Sequence, residues 1–597
     1  MNRSYARRIK KRRKNRRIFY CTTAALLAVA VCASCVVYCS QKPYARRIKS
    51  RIKSVGVQLA PSKELTFAPL SGVVETELYT DNKKCGGTRA NPKRDNKLIQ
   101  RAPGATRLTD FCTGFSIDLP EGMQPDFTHS PNFVRMKSSF CDVIISKERS
   151  PYEDMDEYIA HYLNRFITNE DYRTNNGIEL LADDTRVYGE NRVRIISVKI
   201  ADMPEDKKNI YTYATIPTGE REFFRLMFQF RSSADGELER ATQTALSSFT
   251  RREPEGEPVY DLYFEPQEPD FWSKETKKVY RSLKTSKNVM WGIFASQVQE
   301  EGINQTIPAM ERELDFTFPL VLIYNHIGQP ISQNFLDKCQ EQGRMIELTL
   351  QMTETNNEDL HCRSPLLETY QGKYDDKIRA LARQLKEEIK SPFFFRLNNE
   401  MNTDWANYSG IVNLSDPEIY IGCWRRVYEI FEEEGVDNAI WVFNPNDRNY
   451  PPCNWNNFLA YYPGDEYVQM IGVTGYNTGT YFKEVTGEDW RSFTEIYDEV
   501  EEAYRPFFAE FPWIITEFAS SSVGGNKPMW IDNMFRHLHD YPNIKAAVWF
   551  SAPDMDMRPG FEGQISRPYM LDETPETLAA FGRGLAETNA PGAEKYR

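Results

Sequence analysis

Eight short apolar runs recur between residues 289 and 550, most of them separated by segments with helical periodicity. They are Val289 to Phe294, Leu320 to Tyr324, Met345 to Leu350, Phe393 to Leu397, Ala439 to Phe443, Met470 to Val473, Trp513 to Thr516 and Ala546 to Phe550. Each run is continuous rather than alternating, as a strand buried on both faces must be. Between them, 375–390 places Ile378, Leu381, Ala382, Leu385 and Ile389 on one helical stripe. Another helix opens with Ser415-Asp416-Pro417-Glu418, a capping-box spacing, and carries Tyr420, Trp424, Val427 and Phe431 along one face. This pattern predicts an α/β fold, a (β/α)8 TIM barrel over 271–590, with its site at the C-terminal ends of the strands.

Two of the runs end in a glutamate. Phe393-Phe394-Phe395-Arg396-Leu397 gives way abruptly to Asn398-Asn399-Glu400, and Trp513-Ile514-Ile515-Thr516 runs into Glu517. In the strand count these are strands four and seven, whose ends open into one bowl, so the spacing predicts a paired-carboxylate site. Retaining glycosidases hold such a pair about 5 to 5.5 Å apart, one as acid/base and the other as nucleophile. Glu517 lies in an apolar run and needs donors to stay ionised; Arg396 and Tyr476 are best placed to supply them. A single glutamate at a strand end is more often a helix cap or an ion-pair partner, and it is the pair that points to catalysis. Aromatic side chains at strand ends, Trp405, Tyr408, Tyr476 and above all Trp549, are candidates to pack on sugar rings. Asn399 is a candidate for the sugar 2-hydroxyl, and Asn444, Asn446, Asp447 and Asn477 are loop residues able to bind hydroxyls or simply to form turns. No histidine or cysteine spacing suits a metal, and no cofactor is expected.

The rest of the chain carries its own signals. The first 53 residues contain no acid and 16 of the 74 Lys and Arg, so the bulk of the chain is strongly acidic and unsuited to nucleic acid. A basic segment, 1–17, precedes an uncharged run of 24 residues, 18–41, long enough to span a bilayer. The flanking bases predict a single-pass membrane anchor with the N-terminus cytoplasmic and the catalytic part outside; a cleaved signal peptide is the competing reading. Residues 42–105 read as a polar stalk, 106–252 as a small α+β domain of unknown role, and 253–270 as a stiff Pro/Glu-rich linker. The small domain alternates half-buried strands, such as Phe115 to Leu119 and Arg192 to Val198, with helical stretches such as Met155 to Phe166. Seven cysteines lie outside the apolar run, without Cys-x-x-Cys spacing, which allows at most a few isolated disulfides.

Several ordered motifs in the C-terminal half resemble glycoside hydrolase family 26. They are Arg396-x-x-x-Glu400-Met401-Asn402-x-x-Trp405, Trp441-Val442-Phe443-Asn444-Pro445, Tyr462-Pro463-Gly464-Asp465-Glu466-Tyr467-Val468 leading to Gly475-Tyr476-Asn477, and Thr516-Glu517-Phe518. The resemblance implies Glu400 as acid/base, Glu517 as nucleophile, Arg396 and Tyr476 as the residues that hold the nucleophile, and Trp549 as the aromatic floor of the cleavage subsite. It implies a retaining endo-β-glycanase acting on mannan, mixed-linkage glucan or xylan. The chain departs from mannanases of that family at Asn399, where they commonly have His, and it has no His between Met345 and Thr353. Both departures fall around the subsite that reads the sugar. The expected partners are a polysaccharide and, through the N-terminal helix, a membrane. The alternatives are a noncatalytic sugar-binding or cell-envelope protein and an envelope transglycosylase.

Overall fold

The computed structural model describes residues 72–588, apart from 81, 88, 93, 131, 205–206, 232–236, 259–261 and 354–360. The unit comprising residues 64–597 contains all of the described structure.

Eight parallel strands close into a barrel: β1 (Met290–Ala295), β2 (Leu320–His326), β3 (Met345–Gln351), β4 (Phe393–Leu397), β5 (Ala439–Phe443), β6 (Met470–Thr474), β7 (Trp513–Phe518) and β8 (Ile544–Ser551). Pairing of β1 with β8, from Met290 opposite Ala546 to Ala295 opposite Ser551, completes the closure. Alternate side chains divide between two cores. Leu320, Leu322, Phe394, Ile440, Val442, Met470, Ile514, Ala546 and Val548 belong to the cluster that fills the barrel, whereas Phe395, Trp441, Ile471, Trp513 and Trp549 pack outward with the helices. Register shifts interrupt β7 between Ile515 and Phe518. Strict alternation would aim Glu517 outward with Trp513 and Ile515, and the irregularity turns it into the bowl.

The helix after β4 spans Pro417–Glu434, and its N-cap is Asp416, whose side chain accepts from the Glu418 amide. The capping box expected of Ser415 and Glu418 does not form, because Ser415 has a left-handed φ of 48° and Glu418 pairs instead with the buried Arg135 of the N-terminal domain.

Strands already form where the sequence reads as a stalk: Glu75–Thr80, Lys83–Cys85 and Lys97–Ala102 join Ala105–Asp110, Phe115–Leu119 and Thr250–Arg251 in a six-stranded antiparallel sheet. Their polar positions hid them, since Glu77 is held by Lys84 and Arg101 and so tolerates burial. A seven-stranded antiparallel sheet follows, with Val134–Lys137, Cys141–Arg149, Glu222–Phe230, Ile210–Pro217 and Asn191–Ile200 at its centre. One face of this sheet, with Ile145, Ala214, Phe224 and Phe228, packs on the six-stranded sheet. The other face, with Tyr211, Tyr213, Phe223 and Met227, joins the barrel's own core. The linker packs too, with Phe264 against Tyr462 at 4.4 Å between ring centres.

The apolar run 18–41 lies outside the described residues, and among the described residues no helix is long and apolar enough to cross a membrane. The expectation of a single-pass membrane location is therefore corrected: no span in the structure carries it. No disulfide joins the seven cysteines among the described residues to one another.

Asp416 ties the two halves together, since its Oδ2 also accepts from the Tyr211 hydroxyl at 2.9 Å and the Gln229 amide at 2.7 Å, all three residues being buried. Asp416→Ala removes a helix cap and strands two buried donors, so urea unfolding should show a loss of stability on the order of 2 kcal/mol.

Candidate active site

Glu517 is 5% exposed and its carboxylate accepts four hydrogen bonds. Arg396 Nη1 donates to Oε1 at 2.6 Å and Asn399 Nδ2 to the same oxygen at 3.1 Å. The Tyr324 hydroxyl donates to Oε2 at 2.6 Å and the Tyr476 hydroxyl at 2.9 Å. Donors from β2, from β4 and its end, and from the end of β6 thus converge on one carboxylate. Burial and the Glu517 charge hold the Tyr324 and Tyr476 phenols well above the usual tyrosine range, so both remain donors.

Arg396 has no solvent exposure. Its Nε donates to Thr349 Oγ1 at 2.7 Å, Nη1 donates to Asn444 Oδ1 at 2.7 Å, and the guanidinium lies 5.4 Å from the Tyr324 ring centre. One layer deeper on β3, Glu347 faces the same guanidinium, 3.5 Å from Nε, and neither of its oxygens has a hydrogen-bond partner. Burial pushes the Glu347 carboxyl up to about 8, with Arg396 opposing the rise.

Glu400 sits in a different environment. Its φ is +57°, and Asn398 two residues earlier has +49°, a left-handed conformation that costs a non-glycine residue about 1 kcal/mol or more and that clusters at working sites. The strain is held by Glu400 N donating to Asn444 O at 2.8 Å and by Asn398 Oδ1 accepting from Met352 N at 2.7 Å. The Glu400 carboxyl receives Asn446 Nδ2 at 2.5 Å and Trp405 Nε1 at 3.3 Å. Burial first, and then the Glu517 charge, raise it well above the usual carboxylate range. Two carboxyls in one bowl thus sit in different settings, Glu517 among four donors and Glu400 favoured in its neutral form.

Asn399 is fixed in one orientation, because its Oδ1 accepts from the Tyr408 hydroxyl at 3.1 Å and from Gln351 Nε2 at 3.3 Å, leaving Nδ2 for Glu517. Trp405 is 46% exposed and lies beside Tyr450, with 5.4 Å between ring centres. Trp549 does not reach the site. It is 0% exposed, donates Nε1 to Tyr569 O at 3.0 Å, and packs on Phe518, Trp530 and Phe581. Alternation along β8 puts Val548 and Phe550 on the inner face and Trp549 on the outer one. Phe550, half-buried, meets the Tyr476 ring edge-on at 6.0 Å in the place expected of Trp549.

Of the loop asparagines, Asn444 serves Arg396 and Asn446 serves Glu400, while Asp447 pairs with Arg491 and Asn477 is buried against Ser520. Tyr324, Gln351, Glu347 and Tyr450 escape the sequence reading. Each was legible only as a strand residue or a loop residue, because its partner is supplied by a distant segment. Among the described residues no group of three or more His, Cys, Asp or Glu is arranged to hold a metal ion.

A closed parallel barrel with one carboxyl on strand seven and another after strand four, both facing one bowl, is the arrangement that glycoside hydrolases of the barrel type use. The family model for glycosyl hydrolase family 26 matches residues 356–507. Endoglucanase H of Acetivibrio thermocellus is 32% identical over 257 residues, 42% of this chain and 25% of that protein. A mannan endo-1,4-beta-mannosidase of Bacillus subtilis is 31% identical over 123 residues, 19% of this chain and 29% of that protein. A solved GH26 β-mannanase from Bacteroides ovatus is 15% identical with a TM-score of 0.40, covering 53% of this chain and 94% of that one. These matches support a glycosyl hydrolase family 26 domain in the C-terminal half of the chain. The chain spans only about a quarter of the length of the curated relatives it matches.

Because the Trp405 indole donates to Glu400, its fluorescence should follow that carboxyl, with a midpoint above the ordinary carboxylate range and absent in Trp405→Phe. Asn446→Ala removes a donor that favours the charged form, so the midpoint should move to still higher pH.

Proposed function

We propose that the barrel is a retaining endo-β-glycanase that cleaves a β-glucan by double displacement, with Glu517 as nucleophile and Glu400 as acid/base. The observation that carries this reading is the opposite setting of the two carboxyls: four donors on Glu517, and burial beside a charge for Glu400. In the first step Glu517 bonds to the anomeric carbon, the glycosidic C–O bond breaks, and the Glu400 proton passes to the departing oxygen. In the second, Glu400 takes a proton from water as that water's oxygen displaces Glu517 and restores its carboxylate. Arg396, Tyr324, Tyr476 and Asn399 orient the nucleophile, and the indole of Trp405 steadies the acid.

Glucan is preferred over mannan for two reasons. The endoglucanase match runs longer than the mannosidase match described above. Asn399 beside Glu517 and the Gln351 that fixes it are neutral amides rather than imidazoles. Mannan is the second reading, carried by the mannosidase match.

The test is release of oligosaccharides by the full chain from mixed-linkage glucan, mannan and β-1,3-xylan, with Glu517→Ala as the blank. Release from glucan that the blank lacks is the expected result; release from mannan alone overturns the substrate assignment, and binding without release overturns the enzyme reading. Glu517→Ala should lose at least about a thousandfold in kcat while its melting temperature holds. Glu400→Ala should slow glucan about a hundredfold or more, yet cost far less with an activated aryl glycoside whose leaving group needs no proton. In the wild type, glucan cleavage should fall as pH rises through the raised Glu400 titration, because the acid must carry its proton.

A further inference from the structure

The segment that follows Glu400 has no helix or strand from Met401 to Asp416, yet nearly all of it is buried. What covers it is the N-terminal α+β domain, through its helical segment 155–175 and its seven-stranded sheet. The Tyr162 hydroxyl donates to Asp404 Oδ2 at 2.6 Å, and Arg165 Nη2 reaches the same oxygen at 3.2 Å. The Arg165 guanidinium is itself held over the Tyr162 and Phe166 rings at 4.8 and 4.9 Å. Further along, Tyr172 donates to Val412 O, Tyr213 to Leu414 O at 2.7 Å and Arg225 to Ser415 O at 3.3 Å.

A second loop, after β5, is gripped in the same way. The Glu148 carboxylate accepts from the backbone amides of Asn454 and Trp455 at 2.7 and 3.1 Å, and Arg225 lies 4.9 Å from the Trp455 ring centre. Asn402 sews the two loops together, since its Nδ2 donates to Asn449 Oδ1 at 2.8 Å and its carbonyl accepts from Tyr450 N at 2.8 Å. Each loop then presents one large exposed ring, Trp405 at 46% and Tyr450 at 36%, and the two rings meet beside the Glu400 carboxyl. The acid must lie against the oxygen of the departing sugar, so an aromatic pair next to it lies on the leaving-group side of the cleaved bond.

We propose that the N-terminal α+β domain builds the leaving-group subsite of the barrel, with Tyr162 and Arg165 as positioning residues that fix Trp405 through Asp404. The subsite takes a β-linked glucosyl residue of the departing chain, stacked on Trp405 and Tyr450. Asp404 precedes Trp405 in the chain, so two donors on its carboxylate set the backbone from which the indole projects. The inference rests on the glycanase reading, and it gives the domain a part in catalysis rather than in spacing.

The test is the full chain carrying Tyr162→Phe and Arg165→Met together, assayed on mixed-linkage glucan and on an activated aryl glucoside whose leaving group is not a sugar. The expected result is a fall of about tenfold in kcat/KM for glucan against less than about twofold for the aryl substrate, with the melting temperature held. Arg165→Lys, which keeps the charge near Asp404, should recover part of the loss. Equal falls on both substrates, or none on either, overturn the proposal. Should the double variant fail to fold, Tyr162→Phe alone, which deletes one oxygen, is read by the same ratio. A wild-type chain that cleaves no β-glycan sinks the glycanase reading and this inference with it, whereas an active wild type with an unmoved ratio sinks the inference alone.

Discussion

Everything in the bowl is arranged around the ion pair between Arg396 and Glu517. A guanidinium with no solvent exposure is tolerable only if its charge is met, and losing one partner of such a pair costs more than the pair contributes. That demand fixes Thr349 and Asn444 beside Arg396, and it leaves the far side of the carboxylate to Tyr324 and Tyr476. The pair also acts beyond its own contacts. The Glu517 charge is one of the two causes that push Glu400 toward its neutral form, so a single electrostatic arrangement sets the two carboxyls in different environments. Glu347 beneath Arg396 extends the row to carboxyl, guanidinium, carboxylate, inside a barrel otherwise filled by aliphatic and aromatic side chains.

The N-terminal domain meets a related constraint in the backbone. Loops that rise from strand ends normally lie in water because their carbonyls and amides need partners. Here the loops after β4 and β5 are buried, and the hydroxyls of Tyr172 and Tyr213, the guanidinium of Arg225 and the carboxylate of Glu148 stand in for water. This accounts for the unusual chemistry of the seven-stranded sheet. Its inner face is aliphatic and aromatic, like any sandwich, and its outer face carries long polar tips on apolar bodies, suited to packing on a barrel while satisfying irregular backbone.

All eight barrel strands were legible because continuous apolar runs carry the signal of two-sided burial, and β4 and β5 match their sequence limits residue for residue. Glu400, Glu517, Arg396, Asn399, Trp405 and Tyr476 were legible as a set because each stands at or just beyond the end of such a run, and the fold brings them into one bowl. Trp549 was misplaced by one residue. A run apolar on both faces gives no clue to which face is inner, and only closure of the barrel put Phe550 inside and Trp549 among the helices. The strands before residue 105 were missed for the opposite reason: their buried charges are paired across strands, and a pair distant in sequence looks like solvated polarity.

By itself, then, the sequence determined the order and spacing of the strands and which acids stand at their ends, since burial and chain reversal act locally and leave a local pattern. The tertiary structure decided what those acids become. The bulge that turns Glu517 inward, the Tyr324 hydroxyl from three strands round the barrel, the strained backbone at Asn398 and Glu400, and the clamp of Tyr162 and Arg165 on Asp404 all join residues far apart in the chain. Such partners are set by closure and docking, which no stretch of sequence records.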